Sequence, residues 1–183
     1  PLNPFDVMET IASPLMNVLF STLVKFDSDG EIVPDAAETW KISDDGLIYT
    51  FYLKKGIVFH DGLPLQARDV VHSLDLYRNE EIAPHVYKFF EKVKSYSIVS
   101  GHSLQIVLKE AFSPFLRQTV RAYIVPHHRL RAVASDLGPF VEHPIGSGPF
   151  KLEKSEESGE LFLSAHEEYF GGRPSVDQIH IQI

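Results

Sequence analysis

The residues of this chain that could do chemistry are its nine histidines and the acidic residues beside them, and each pairing has a geometric requirement to meet. His60-Asp61 has the composition of a metal-dependent phosphohydrolase pair, but such pairs sit on helices and this one runs into Gly62 in a turn. His127-His128 are adjacent, so a helix would point them to different faces and they would not chelate together. Glu142-His143 and His166-Glu167-Glu168 lack the H-E-x-x-H spacing of a zinc site. Asp27, Asp29, Glu31, Asp35 and Glu38 fall on the acidic positions of a calcium loop. Ile32, however, stands where that loop needs glycine, and Pro34 interrupts it, so a plain turn is expected. Gly146-Ser147-Gly148 is no nucleophile elbow, because the G-x-S-x-G pattern is missing and Pro149 would spoil the turn into a helix. Nor does it read as a phosphate cradle, since no Lys-Ser/Thr follows and Pro149 removes an amide donor. With no cysteine there is no thiolate nucleophile, thiolate zinc site or disulfide framework. The chemistry points away from catalysis and towards binding, with no metal or cofactor expected.

Composition narrows the partners. The 183 residues can bury a sizeable core, and 44% hydrophobic with 23% charged residues is ordinary for a globular protein. A net charge of −8 with no basic stripe argues against nucleic acid. No apolar run reaches the roughly 18 residues of a spanning helix, and no signal peptide stands in this stretch.

The elements that must position these residues are organised around 40–71. Asp45-Gly46 lies between two runs rich in β-branched and aromatic residues, a strong hairpin signal. After it, Ile48, Thr50 and Tyr52 alternate with Leu47, Tyr49, Phe51 and Leu53; both sets are largely apolar, so a strand covered on both faces is expected. Gly56 ends it, Val58-Phe59 reads as a second short strand, and His60-Asp61-Gly62 turns the chain before Pro64. From Ala67 the period is helical, with Ala67, Val70, Val71, Leu74 and Tyr77 on one face. Gln66 falls at the N-cap, where it caps poorly, a loss of about 1 kcal/mol.

Upstream, Ser13 as N-cap with Pro14 at the first helical position predicts a core helix carrying Leu15, Val18, Leu19, Thr22 and Leu23. Val24–Phe26 is a strand and Asp27–Gly30 its turn. Residues 72–93 read as helix broken at Pro84, with Tyr87, Phe90 and Val93 sharing a face. Strands over 95–99 and 104–108 form a second hairpin around Gly101-His102. Ser113-Pro114 repeats the cap-plus-proline start, and 127–134 reads as a short basic helix with Arg129 and Arg131 exposed. The segment 144–150 reads as a corner where backbones approach closely. A hairpin around Ser158-Gly159 and a final strand over 176–183 close the chain.

Three motifs in this order resemble the solute-binding proteins of peptide ABC importers, the oligopeptide/dipeptide/nickel type known as family 5. The first is Ala37-Glu38-Thr39-Trp40, then Asp45 to Leu53, then Gly56 to Val70, with Gln66 where the family usually has Thr or Ser. The second is Pro144-Ile145-Gly146-Ser147-Gly148-Pro149-Phe150, with Ser147 replacing Thr. The third is Tyr169-Phe170-Gly171-Gly172-Arg173-Pro174, with Phe170 replacing Trp. The resemblance covers nearly the whole chain. It implies an α/β (mixed α+β) fold: lobe one of a type II periplasmic-binding-protein clamshell, a mixed sheet with an inserted subdomain over about 35–145 and a return to the lobe over 146–183. The resemblance also implies that the chain begins just inside a mature protein at Pro1-Leu2-Asn3-Pro4, its own N-terminus trimmed, and that lobe two lies beyond Ile183.

The function so implied is capture of a peptide or other small solute in the cleft between lobes, and its delivery to ABC permease subunits, in the periplasm or on the cell surface. Ligand main chain would pair with Thr10, Ile11, Ala12 and Ser13, with Asn17, Phe20 and Tyr87 as further candidates. Two alternatives stand beside it: the sensor region of a transcription regulator, and a nickel or haem transport receptor.

Overall fold

The computed structural model describes residues 2–6, 12–130, 137–156 and 159–182. In chain order the elements are α1 (Ala12–Leu19), β1 (Val24–Phe26), β2 (Ile32–Pro34), β3 (Ala37–Ile42), β4 (Ile48–Leu53), α2 (Ala67–Tyr77), α3 (Tyr87–Phe90), β5 (Val93–Ser100), β6 (Ser103–Leu108), α4 (Phe115–Gln118), a 3-10 turn (Thr119–Arg121), α5 (Gly138–Glu142), β7 (Phe150–Ser155), β8 (Glu160–Ala165) and β9 (Gln178–Gln182). They build a β1-β2 ribbon, a four-stranded sheet in the order β3-β4-β6-β5, and a three-stranded sheet β7-β8-β9. A mixed sheet was the expectation from the resemblance. Among the described strands every pairing is antiparallel. Most neighbouring strands are joined by short turns, which can only link antiparallel partners; a parallel pair needs a long crossover.

The hairpin at Asp45-Gly46 forms as the sequence implies. Gly46 takes φ +69°, Ser43 O accepts from Gly46 N–H at 2.8 Å, and Asp45 accepts from Leu47 N–H at 3.0 Å. Tyr49, Phe51 and Leu53 of β4 face the core, beside Leu104, Ile106 and Leu108 of β6. The expected double-sided cover is not there: Tyr52 is 38% exposed, and Thr50 bonds Gln105 across an open face. An antiparallel sheet can leave one face to water even when that face carries some apolar groups.

Against the inner face pack α2, α4 and α3. Tyr49 meets Phe115 edge-on at 5.0 Å, and Tyr77 meets Phe90 at 5.4 Å. The weak cap at Gln66 is made good by Asp69, whose carboxylate accepts from Gln66 N–H at 2.8 Å and from His127 N–H at 3.0 Å. That buried carboxylate ties the start of α2 to the 127 turn and, by accepting from the N-cap residue's own N–H, supplies the N3 half of a capping box.

Other boundaries moved for local reasons. α1 starts at Ala12, two residues before Pro14, so Ser13 lies within it rather than at its cap. Pro114, not Ser113, is the N-cap of α4, and that helix passes straight into the 3-10 turn. The expected helix over 72–93 ends at Tyr77, because Asn79 folds the chain, accepting from Glu81 N–H on its side chain and from Ala83 N–H on its carbonyl. Val58-Phe59 shrinks to one bridge, Val58 to Pro64, between tight turns at Gly56 and Gly62. Residues 127–130 form a turn, with Arg129 exposed; Arg131 and the rest of the expected basic helix lie outside the described residues.

Candidate ligand-binding cleft

Two neighbouring places concentrate polar groups, and both use α1. The first is the corner at 146–148. It runs against the end of α1: Gly148 N–H donates to Leu19 O at 3.0 Å, and the buried hydroxyls of Ser147 and Ser21 bond each other. A Cβ on Gly146 would lie 1.9 Å from Leu19 O, and one on Gly148 2.5 Å from Val18 O, so only glycine fits. His60 holds the corner from the other side. Gly146 N–H donates to its Nδ1 at 3.2 Å, so the ring proton sits on Nε2 and donates to Gly148 O at 3.2 Å. His60 N–H donates to Gly146 O at 2.8 Å, and the His166 ring, edge-on at 5.0 Å, donates to the same Gly148 carbonyl at 3.1 Å. Burial pulls the His60 pKa down to about 4, with the neighbouring His166 and Lys151 adding to the effect. Asp61 pairs with His128 at 2.7 Å. The chemistry-bearing groups of this corner are thus occupied, His60 and His166 with backbone, and Ser147 and Asp61 with the side chains of Ser21 and His128.

The second place is a cleft of about 760 Å³, a size that suits a small ligand. One wall is the outer half of α1 and the segment after α4: Asn17, Phe20, Val120, Arg121 and Tyr123. Phe20 is buried, its ring 6.0 Å from Tyr123 and 6.3 Å from Phe140. The Tyr123 hydroxyl donates to Asn17 Oδ1 at 3.0 Å, and Tyr123 N–H donates to the Tyr77 hydroxyl at 3.0 Å. Tyr77 in turn donates to Pro4 O at 2.9 Å; wholly buried, its hydroxyl is held neutral far above the usual range. At the far end stand Thr22, Lys25, Asp35 and Tyr169. Asp35 accepts from Thr22 N–H at 2.8 Å and faces Lys25 Nζ at 3.4 Å. Burial, with the Asp35 charge behind it, pushes the Tyr169 pKa up to about 12.

Of the residues singled out from the sequence, Asn17 and Phe20 line this cleft. Ala12 and Ser13 open α1. Thr10 and Ile11 lie outside the described residues. Tyr87 is half-buried at the start of α3, one residue past the lining Val86, and is not itself among the lining side chains. Arg121, Tyr123, Thr22, Lys25, Asp35 and Tyr169 were missed. Only Tyr169 had a signal, its place in the third motif; the others look in sequence like core or surface. Among the described residues no cluster of three metal-ligating side chains forms, and no helix is long and apolar enough to cross a membrane.

An open cleft walled by aromatic rings and hydrogen-bonding side chains is a surface for holding a small molecule. Residues 31–183 match the family model described as bacterial extracellular solute-binding proteins, family 5 Middle. The chain belongs to this family, one of binding proteins rather than enzymes. It is 29% identical to the glutathione-binding protein GsiB of Salmonella choleraesuis over 97% of this chain and 35% of that protein, and 30% identical to the oligopeptide-binding protein AppA of Bacillus subtilis over 94% and 33%. The chain therefore spans about a third of the length of the curated relatives it matches. The structure of AppA in complex with a nonapeptide superposes with a TM-score of 0.89 at 28% identity, covering 100% of this chain and 37% of AppA. NikZ of Campylobacter jejuni, solved in complex with Ni(L-His), gives 0.88 at 28% identity over 99% and 36%. The fold is that of one lobe of a periplasmic binding protein.

Proposed function

We propose that this chain supplies one lobe of the substrate-binding component of an ABC importer, which captures a peptide-like solute and delivers it to the permease from the periplasm or the outer cell surface. The observation that carries the reading is the cleft on α1: in a family of solute-binding proteins, it is an aromatic-walled concavity with hydrogen-bonding groups already set in place. In this reading the backbone of Thr10 to Ser13 pairs with ligand main chain at the start of α1, Asn17 and Phe20 form the wall behind it, and Tyr87 approaches from α3. Backbone pairing makes few demands on ligand side chains, since every peptide carries the same amides. Residues 35–145 are then the subdomain inserted before the chain returns through β7, β8 and β9. Likeness to AppA and GsiB supports a peptide-like solute; likeness to NikZ makes a nickel complex the competing one.

The test is a thermal-shift and calorimetric titration of the full-length protein with a tri- to pentapeptide mixture, with Ni(L-His) and with haem. Peptides are expected to raise the melting temperature with a saturable heat of binding. A shift with the nickel complex or haem and none with peptides would replace the reading.

A further inference from the structure

The charges that line the cleft are not equally engaged. Lys25 faces Asp35 at 3.4 Å, and His85 faces Asp6 at 3.1 Å. Arg117 of α4, itself outside the cleft lining, lies over the ring of the lining Phe26 at 4.5 Å. Arg121 lines the cleft as an exposed residue, and among the described residues no carboxylate or ring partners it. Its backbone is nonetheless firmly held. The Thr119 hydroxyl donates to Leu116 O at 2.7 Å, Ala122 N–H to Thr119 O at 3.2 Å, and Ile124 N–H to Ser21 O at 2.9 Å, the last pinning the segment after Arg121 to the chain just past α1. A charged side chain that no described residue partners, on a fixed backbone in a concave wall, is set up for an external ion rather than for stability.

We propose that Arg121 selects the solute: the cleft prefers ligands that carry a carboxylate, gripped by the Arg121 guanidinium. The inference rests on the reading of this cleft as a solute site. A planar guanidinium matches a carboxylate with two parallel N–H···O bonds, which an ammonium cannot do. A second donor stands in the same cleft. The Asn17 carbonyl oxygen takes the Tyr123 hydroxyl proton, which leaves its amide protons to donate. Among the described residues the one carboxylate lining the cleft is Asp35, already paired with Lys25 and bonded by the Thr22 amide, so it opposes an incoming anion little. The net charge of −8 does not reverse this, because surface charges beyond roughly 8 Å are screened at physiological salt. The carboxylate could be the C-terminus of a peptide or an Asp or Glu side chain; the chemistry at Arg121 is the same.

The experiment incubates the full-length wild type and R121Q with a random tri- to pentapeptide library, half of it C-terminally amidated, and reads the captured peptides by mass spectrometry. Wild type should enrich a carboxylate-bearing class over its neutral isosteres by roughly tenfold to a hundredfold, the range a charge-assisted bond supports. Enrichment of free over amidated termini assigns the terminal carboxylate, and enrichment of Asp and Glu over Asn and Gln assigns the side chain. R121Q should still capture peptides but lose the enrichment, and R121K should recover part of it. The same enrichment in R121Q as in wild type, or none in wild type, would overturn the inference while leaving peptide capture intact. A wild type that captures no peptide would sink the peptide reading and this inference together.

Discussion

The 146–148 corner and the cleft wall at Arg121 both lean on α1, yet they use their polar groups in opposite ways. In the corner, His60, Ser147 and His166 bond backbone or one another at short range, and glycine is required because two chain segments nearly touch. In the wall, Asn17 keeps donors to offer and Arg121 has no partner among the described residues. The corner holds the second motif and the histidine of the first; the wall holds hardly any motif residue. The lesson is that the motif residues in this chain mark where the backbone must be clamped, and the proposed ligand wall with Asn17 and Arg121 stands beside them.

That contrast can be broken at several points. The largest effect should come from Gly146→Ala, because a methyl 1.9 Å from Leu19 O forces α1 and the corner apart. A loss above about 3 kcal/mol is expected, read from the midpoint of denaturant unfolding. If the variant folds normally, the corner is not the close contact described.

His60→Ala should follow at about 2–3 kcal/mol, since it leaves Gly146 N–H without its acceptor and removes a donor from Gly148 O. The same residue predicts a pH dependence. Its folded pKa, about 4, lies below the ordinary 6.5, so the unfolded chain binds more protons between those values. Stability from His60 is full above pH 6.5 and falls as pH drops towards 4, by roughly 3 kcal/mol in total. Wild type measured across that window should show the slope, and His60→Ala should flatten it.

Asp35→Asn sits between the two regions. It weakens the bond to Thr22 N–H, at a cost of about 1–2 kcal/mol, and releases Lys25 into the cleft. Unfolding should show the loss, while capture of acidic peptides should rise. Tyr123→Phe should cost about 1 kcal/mol and free the Asn17 amide to turn. Arg121→Gln should be smallest, within about 0.5 kcal/mol by thermal unfolding, because its side chain is exposed and no described residue pairs with it. A large loss there would mean that Arg121 has a structural partner and that the two regions are less different than they look.

Much of the local structure was legible in the sequence. Asp45-Gly46, Gly101-His102 and the helical period from Ala67 each name their element, because turn geometry and side-chain periodicity are set within a few residues. The close approach at 146–148 could also be read, since two glycines around a small residue serve little other purpose. What misled were features whose outcome depends on distant chain. Gln66 looked like a weak cap until Asp69 supplied the acceptor and the 127 turn shared it. Both faces of β4 looked buried because apolar composition does not say which face finds a cover.

The sequence alone therefore determined the hairpins at Asp45-Gly46 and Gly101-His102, the helix from Ala67, the absence of thiol chemistry and the family motifs, all of which follow from short-range geometry and residue type. Only the tertiary structure decided that His60 serves the corner, that Phe20, Tyr123 and Asn17 form one wall, and that Arg121 lines the cleft with no partner among the described residues. Those outcomes depend on which charges are already paired, and pairing between Lys25 and Asp35, or between Tyr123 and Asn17 more than a hundred residues apart, is set by packing that no local pattern encodes.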